Sequence, residues 1–535
     1  MNEVLIIGSG GAGLVAALSC IEEGVSVKVI SKTYPTRSQT VMAQGGINAA
    51  LHVEDSVEQH IKDTQKSSHD LALHVNIEKL CSEAPEAIEF LDSIGVPFSR
   101  DESGKIAQRR LGAAASPRAC YAQDFSGLKI VHTLYDTCVK KGVEFINDRF
   151  LLNFVKSEDG KSVCGVDMLN VATGEVEQYL SSAVIIATGG YSKIYHHHST
   201  NSQGSTGDGI AAAVRAGAKV NNMEFIQFHP TALKNSSVLI SESARGAGGY
   251  LLNDKKERFV DELLPRDELS RAIVKELEKS STIYLDVRHL GEEFIDENLP
   301  QERHLAKLYE NVDIVKEIVP IKPAAHYSMG GIEIGENLET NIKGLFAVGE
   351  CANHNVHGAN RLGGNSLLEI IVFGKQVGIN AALHVKSAEI KSVDESQLNL
   401  DKNFVAGVKH FTNQIDFYEK REFIGNIFYN NAGVVRDDMG LKAVLGAIRQ
   451  IQREIPFMGP RDKSMQYNTN LVEFIEFGNM VELCEIIIVG AISRVESRGA
   501  HFRSDAASKN DTLYKAKTQS YKADGILCVD FKAVK

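Results

Sequence analysis

The chain has 535 residues, 43% hydrophobic and 24% charged, with 45 glycines, which is the profile of a folded globular protein of about three or four domain-sized units. Its formal charge of −11 argues against a general nucleic-acid binder, which would carry a basic stripe. Eight cysteines, at positions 20, 81, 120, 138, 164, 351, 484 and 528, form no C-x-x-C pair, so the chain offers no iron–sulfur or zinc framework of its own and its cysteines read as reduced thiols.

The first element is a buried strand, "EVLIIG", with no room before it for a targeting segment, so a cytoplasmic protein is expected. "GSGGAG" follows, with Gly8, Gly10 and Gly13 in the G-x-G-x-x-G spacing, and then a helix over "LVAALSCIEEG" and a second strand, "VSVKVISK". In this strand–turn–helix context the first glycine permits the tight turn, the second admits a pyrophosphate, and the third lets helix and strand pack closely. The helix N-terminus then offers free N–H groups to phosphate. The acidic residue that a plain NAD fingerprint places about 20 positions on is replaced here by Ser31 and Lys32, which disfavours NAD as the primary ligand.

Further along, "AVIIATGG" (183–190) is a buried strand ending in glycines. The triplet "HHH" (196–198) reads as a polar loop, because adjacent histidines do not converge on a metal in a helix or strand. "TGDGI" (206–210) sets Asp208 in a glycine turn that opens a helix, "GLFAVGE" (344–350) is a strand ending in Glu350, and "NRLGGNSLLE" (360–369) starts a helix near Ser366. This series points to a large flavin nucleotide held by a two-part dinucleotide domain. The stretch 386–405 turns polar and reads as a linker, and from 406 to about 497 apolar residues recur at helical spacing, as in a self-contained helical bundle. The longest apolar run near the end, "IIIVGAI", is too short to span a bilayer, and the tail from about 506 is lysine-rich.

The segments "SKTYPTRSQTVMAQGGI", "MEFIQFHPTAL", "LISESARGAGGYLLN", "PRDELSRAI", "IKPAAHYSMGGI" and "VHGANRLGGNSLLE" give the chain its resemblance, from Glu3 to about Asp505, to the flavoprotein subunits of succinate dehydrogenase and fumarate reductase and the related L-aspartate oxidases. The family fold is α/β: a Rossmann-like FAD-binding domain (here 1–220 and 330–385) interrupted by a capping domain (221–329), then a helical domain (386–505) and a C-terminal tail (506–535). The resemblance implies FAD contacts at Gly8, Ser9, Gly10, Gly11, Ala12 and Gly13, at Ser31, Lys32, Ser38, Gln39, Thr40, Ala43, Gly45 and Gly46, and at Asp208, Glu350, Ser366 and Leu367. It implies a C4 dicarboxylate held by His229, Ser241, His326 and Arg361, with Arg266 exchanging the proton and Glu242 and Arg245 relaying to it. The family usually has threonine where Ser241 stands; serine keeps the hydroxyl. Taken alone, His229 and His326 read as structural histidines and the Glu242 and Arg245 spacing as a surface ion pair, so these roles come from the resemblance. It further implies an iron–sulfur partner subunit and a membrane anchor beyond it, at the cytoplasmic face of the inner membrane.

In the dehydrogenases and reductases the loop usually reads R-S-H-T, its histidine bonded covalently to the flavin. This chain has Arg37, Ser38, Gln39 and Thr40, and a carboxamide is not a nucleophile, so FAD is expected to be noncovalent and of lowered potential, which favours fumarate reduction. Noncovalent FAD also suits L-aspartate oxidase, the alternative. Against it, "NRLGGNSL" follows the dehydrogenase wording, and "QRRLGAAASPRACY" (108–121) has no acid to hold a substrate amine. A subunit that binds FAD without catalysis is the other alternative, opposed by the full set of Arg266, His229, His326 and Arg361.

Overall fold

A computed structural model describes residues 3–388 and 391–534. At its centre is a parallel sheet of five strands in the order Leu345–Ala347, Ala183–Ile186, Glu3–Ile7, Ser26–Ile30, Glu144–Ile146. In the strand Glu3–Ile7, residues 4–7 are all apolar because both faces are buried there. Val4 and Ile6 pack with the helices Gly11–Glu22, Ser126–Lys140 and Asn365–Ser387. Leu5 and Ile7 pack with the antiparallel sheet Arg149–Lys156, Val163–Asn170, Val176–Leu180 and the helix Asp208–Ala216.

The second of these cores runs on without interruption into the helices between 396 and 493. The periodicity correctly marked helices there, but they are not a self-contained bundle: Leu471, Leu483 and Ile487 of the helix Thr469–Ser493 share one core with Leu5 and Ile7. The polar stretch read as a linker holds the helix Ser396–Val408, with Asp401, Val405 and Val408 buried; residues 389 and 390 lie outside the described residues. In the lysine-rich tail the strands Ala516–Ala523 and Ile526–Ala533 form a hairpin that joins Val220–Asn221, Gly331–Glu333 and Ala352–Asn353 in a separate five-stranded sheet. Among the described residues one helix, Asn365–Ser387, is long and apolar enough to cross a membrane, and 67% of its apolar window is buried inside the fold.

Residues 233–321 build a smaller core of their own from Leu233, Leu269, Ile273, Leu285, Val319 and Ile321. Its antiparallel sheet has the order Ile226–Leu233, Val319–Ser328, Ile283–Asp286, Tyr250–Leu252. Register shifts on either side of Phe228 and His229 locally break the pairing of its first two strands.

Candidate active site

The turn after the first strand is built for close approach. Gly8 has φ +110°, and a Cβ on it would lie 2.3 Å from the carbonyl oxygen of Ala187. A Cβ on Gly13 would lie 2.1 Å from the carbonyl oxygen of Gly8, so Gly13 packs helix against strand and does not reach the adjoining cavity. Gly8, Ser9, Gly10, Gly11 and Ala12 do line that cavity, whose volume is about 230 Å³. Ser31, Lys32, Ser38, Gln39, Thr40, Ala43, Gly45, Gly46, Asp208, Glu350, Ser366 and Leu367 line it as well.

Much of this lining is internally held. The Ser9 hydroxyl donates to Ser31 Oγ (3.0 Å), and Thr40 Oγ1 accepts the N–H of Gly11 (3.2 Å). Lys32 Nζ pairs with Asp208 Oδ2 and Glu476 Oε1, each at 2.7 Å, so the Asp208 carboxylate is occupied by a neighbouring lysine and by Asn479 (2.9 Å). Gln39 Oε1 accepts the N–H of Ser202 (2.7 Å). Burial pushes the Glu350 carboxyl up to about 7, although the N–H of Ser328 donates to it at 2.9 Å. Other polar atoms are buried without partners: Ser38 Oγ, both polar atoms of the Gln44 carboxamide, and Thr188 Oγ1. A glycine cradle at one helix N-terminus, a second N-terminus at Ser366 and Leu367, and orphaned polar atoms between them fit a large polar cofactor such as FAD.

The same cavity continues to His229, Ser241, Glu242, Arg266, His326 and Arg361. His229 and His326 come from adjacent antiparallel strands, and their rings lie 5.0 Å apart. Thr200 Oγ1 and His326 Nδ1 share a hydrogen bond (2.7 Å), and Nδ1 of His229 accepts the N–H of Thr231 (3.3 Å), which leaves its buried Nε2 without a partner. Burial first, then the charge of Arg266, hold both imidazoles well below their ordinary pKa, so both are neutral at pH 7. Ser241 caps the helix Glu242–Gly246 by accepting the N–H of Ser243 (3.1 Å), and its own O–H remains free to donate. Arg361 lies over the ring of Tyr327 (4.3 Å), with its buried Nε unpartnered; burial and the nearby Arg266 bring it down to about 10.

Arg266 opens the helix Arg266–Leu277. Its Nε and Nη2 donate to Oε2 of Glu242 at 3.0 and 2.6 Å, and its Nη1 donates to Oε1 of Gln227 at 3.1 Å. Arg245, one helical turn after Glu242, sits behind it at 3.8 Å and does not line the cavity. Burial pushes the Glu242 carboxyl up, but Arg266 and Arg245 together outweigh that and hold it below its ordinary value. Gln227 was not singled out from the sequence. It is fully buried and ties three parts together, since its amide nitrogen donates to Asn360 Oδ1 (2.8 Å) and to the carbonyl of Arg361 (2.7 Å). The available signal was an amide two positions before His229, on the same face of a fully buried strand. The stretch 108–121 lies beside this cluster through Leu111 and through Gly112, whose N–H donates to Glu242 Oε1 (2.7 Å).

The FAD binding domain family matches residues 3–367, and the fumarate reductase flavoprotein C-terminal family matches residues 421–535. The 8-methylmenaquinol:fumarate reductase flavoprotein subunit of Wolinella succinogenes is 39% identical, over 96% of this chain and 87% of its own length. The chain belongs to the succinate dehydrogenase and fumarate reductase flavoprotein family. The succinate dehydrogenase flavoprotein subunit of Rickettsia conorii is 38% identical, over 99% of this chain and 95% of that one. A solved structure of a mutant E. coli quinol fumarate reductase flavoprotein superposes with a TM-score of 0.94 at 34% identity, covering 100% of this chain and 97% of that one. The cradle of this family member is therefore an FAD site, and nothing in these relatives supports the L-aspartate oxidase alternative.

Proposed function

We propose that this flavoprotein interconverts fumarate and succinate and works chiefly as a fumarate reductase. The observation that carries the reading is the unbroken series Arg245, Glu242, Arg266, which opens on a cavity also lined by Arg361, His229, His326 and Ser241. A C4 diacid brings two carboxylates that need cationic and N–H or O–H donors, and Arg361 offers a planar fork with a buried unpartnered N–H. The neutral imidazole of His229 offers its Nε2, and Ser241 its hydroxyl. The chemistry FAD would supply here, in its reduced form, is the electron pair that passes as hydride to one methine carbon of fumarate. Arg266 delivers the proton to the neighbouring carbon. Its intrinsic acidity is low, but it is held by two donors to Glu242 and one to Gln227 and so presents a fixed N–H. Arg245 then passes a proton to Glu242, which hands it on to Arg266.

Gln39 supports the direction. Its carboxamide cannot form the bond to flavin that a histidine makes, so FAD is held noncovalently and at lower potential, which favours giving electrons to fumarate over taking them from succinate. The relatives are each a flavoprotein subunit. Electron supply to this chain is accordingly assigned to an iron–sulfur partner subunit, joined to a membrane anchor at the cytoplasmic face of the inner membrane. The test is viologen-driven fumarate reduction by the FAD-loaded chain, with flavin bleaching by succinate and by L-aspartate compared in parallel. Turnover of fumarate that is lost in R266Q is expected; bleaching by L-aspartate alone would overturn the reading.

A further inference from the structure

Lys193 lies in the short turn Ser192–Ile194, only 7% exposed. Its backbone N–H donates to Ser205 (3.1 Å) in the loop that lines the cavity beside Gln39, but Lys193 itself is not part of the cavity wall. Its ammonium has no hydrogen-bond or ion-pair partner among the described residues. Burial, and then the charge of Arg421, lower it to about 8.

Arg421 stands on the helix Phe417–Asn431 with its guanidinium over the Tyr418 ring (5.0 Å); its Nε is buried and unpartnered. One turn further along that helix, a Cβ on Gly425 would lie 2.5 Å from the carbonyl oxygen of His196, so His196 packs directly on the helix that carries Arg421. His196 is 8% exposed and its Nδ1 is unpartnered; burial, Arg421, His197, Lys193 and His198 together keep the ring neutral. The histidine triplet lies in a loop, as the sequence reading has it, with His197 exposed, His198 half-buried and His196 buried. Of the acids at this helix, Asp416 pairs with Arg461, Glu454 with Lys420, and Glu473 accepts the Tyr418 hydroxyl, while Glu419 and Glu422 lie on the helix itself; none pairs with Lys193 or Arg421 among the described residues.

The turn that carries Lys193 packs on the helix that carries Arg421, and neither cation has a carboxylate partner among the described residues, an arrangement that a bound anion would stabilise. The free donors are an ammonium, a guanidinium N–H and one imidazole nitrogen, a set suited to oxygen lone pairs. We propose that Lys193, Arg421 and His196 form a site, separate from the substrate cavity, for a single oxyanion: a carboxylate or phosphate group. Its source is either a free ion or an acidic side chain of a partner subunit.

The test follows acetylation of Lys193 by acetic anhydride across a pH series, resolved by peptide mass spectrometry on the FAD-loaded full chain, with exposed Lys105 as the internal control. Inorganic phosphate or acetate should move the Lys193 profile upward by about one pH unit and slow its labelling at pH 8 about 5-fold or more. R421Q, folded as judged by unchanged FAD content, should abolish that shift. If neither ion acts on the isolated chain but the same upward shift occurs in the complex with the iron–sulfur partner, the source is that partner's carboxylate; this arm alone rests on the partner proposed above. Simple coverage slows labelling without moving the profile. A profile unmoved by both ions and by assembly, or a shift that survives R421Q, would overturn the proposal.

Discussion

One carboxylate oxygen, Oε2 of Glu242, accepts both Nε (3.0 Å) and Nη2 (2.6 Å) of Arg266, while Oε1 of the same group takes the N–H of Gly112. Glu242 is 2% exposed, so its charge is balanced by the two arginines and not by water. Replacing it with glutamine keeps the shape and removes the ability to hold and return a proton. E242Q is expected to lower kcat for fumarate by about 10²–10⁴-fold while leaving FAD content unchanged. Steady-state viologen assays beside flavin absorbance measure both quantities.

Gln39 marks the second prediction. Its side chain lines the cavity and is held by the N–H of Ser202 at 2.7 Å. Acid precipitation of the wild-type protein should therefore release the flavin into the supernatant. Q39H places an imidazole at that position, and a fraction of its flavin should remain with the precipitated polypeptide. Flavin retained by the wild-type precipitate would contradict noncovalent binding.

A third prediction concerns the residue after Arg266. Asp267 has a fully buried side chain that pairs with His69 Nε2 (3.3 Å) and Arg271 Nη2 (3.0 Å), and Arg271 in turn donates to the carbonyl of Gly499 (2.9 Å). This ties the start of the Arg266 helix to two distant parts of the chain. D267N should misplace Arg266 and reduce kcat by about 10-fold or more, with little change in FAD content. A variant with full activity would show that Asp267 does not position the helix.

Stability should depend on pH through a buried pair of acids. Asp167, in the antiparallel sheet, faces Asp401 of the helix Ser396–Val408; burial, and then the proton shared with Asp401, push Asp167 up to about 7. A carboxyl raised in the folded state binds protons more tightly there than in the unfolded chain. Its stabilisation is full below the ordinary carboxyl range and is lost as pH rises through about 7. The urea midpoint should accordingly fall between about pH 5 and about pH 8, by the equivalent of about 1–3 kcal/mol. D167N should flatten that slope; an unchanged slope would place the dependence elsewhere.

The cofactor cradle was largely legible in the sequence because its physics is local. Gly8 and Gly13 are required within one strand–turn–helix, where a Cβ would meet backbone only a few residues away or on the next strand. The helices after 406 were legible for the same reason, as apolar residues at helical spacing. What they pack against was not, since periodicity fixes a buried face but not its partner, and the partners proved to be the helix Asp208–Ala216 and the antiparallel sheet that begins with Arg149–Lys156, in one continuous core with Leu5 and Ile7. The strands of the tail were not legible, because a lysine-rich composition does not mark the buried Thr518 and Ser520 of the strand Ala516–Ala523.

By itself, then, the sequence determined a dinucleotide cradle, a family and the residue types of a diacid site, because these depend on short-range backbone geometry and on motifs. Only the tertiary structure decided that Gln227 joins Arg266 to Arg361, that Arg245 stands behind Glu242 rather than in the cavity wall, and that the segment of Lys193 and His196 packs on the helix that carries Arg421. Charge interactions depend on distance through space and on the water excluded around them, and neither is written in the spacing of residues along the chain.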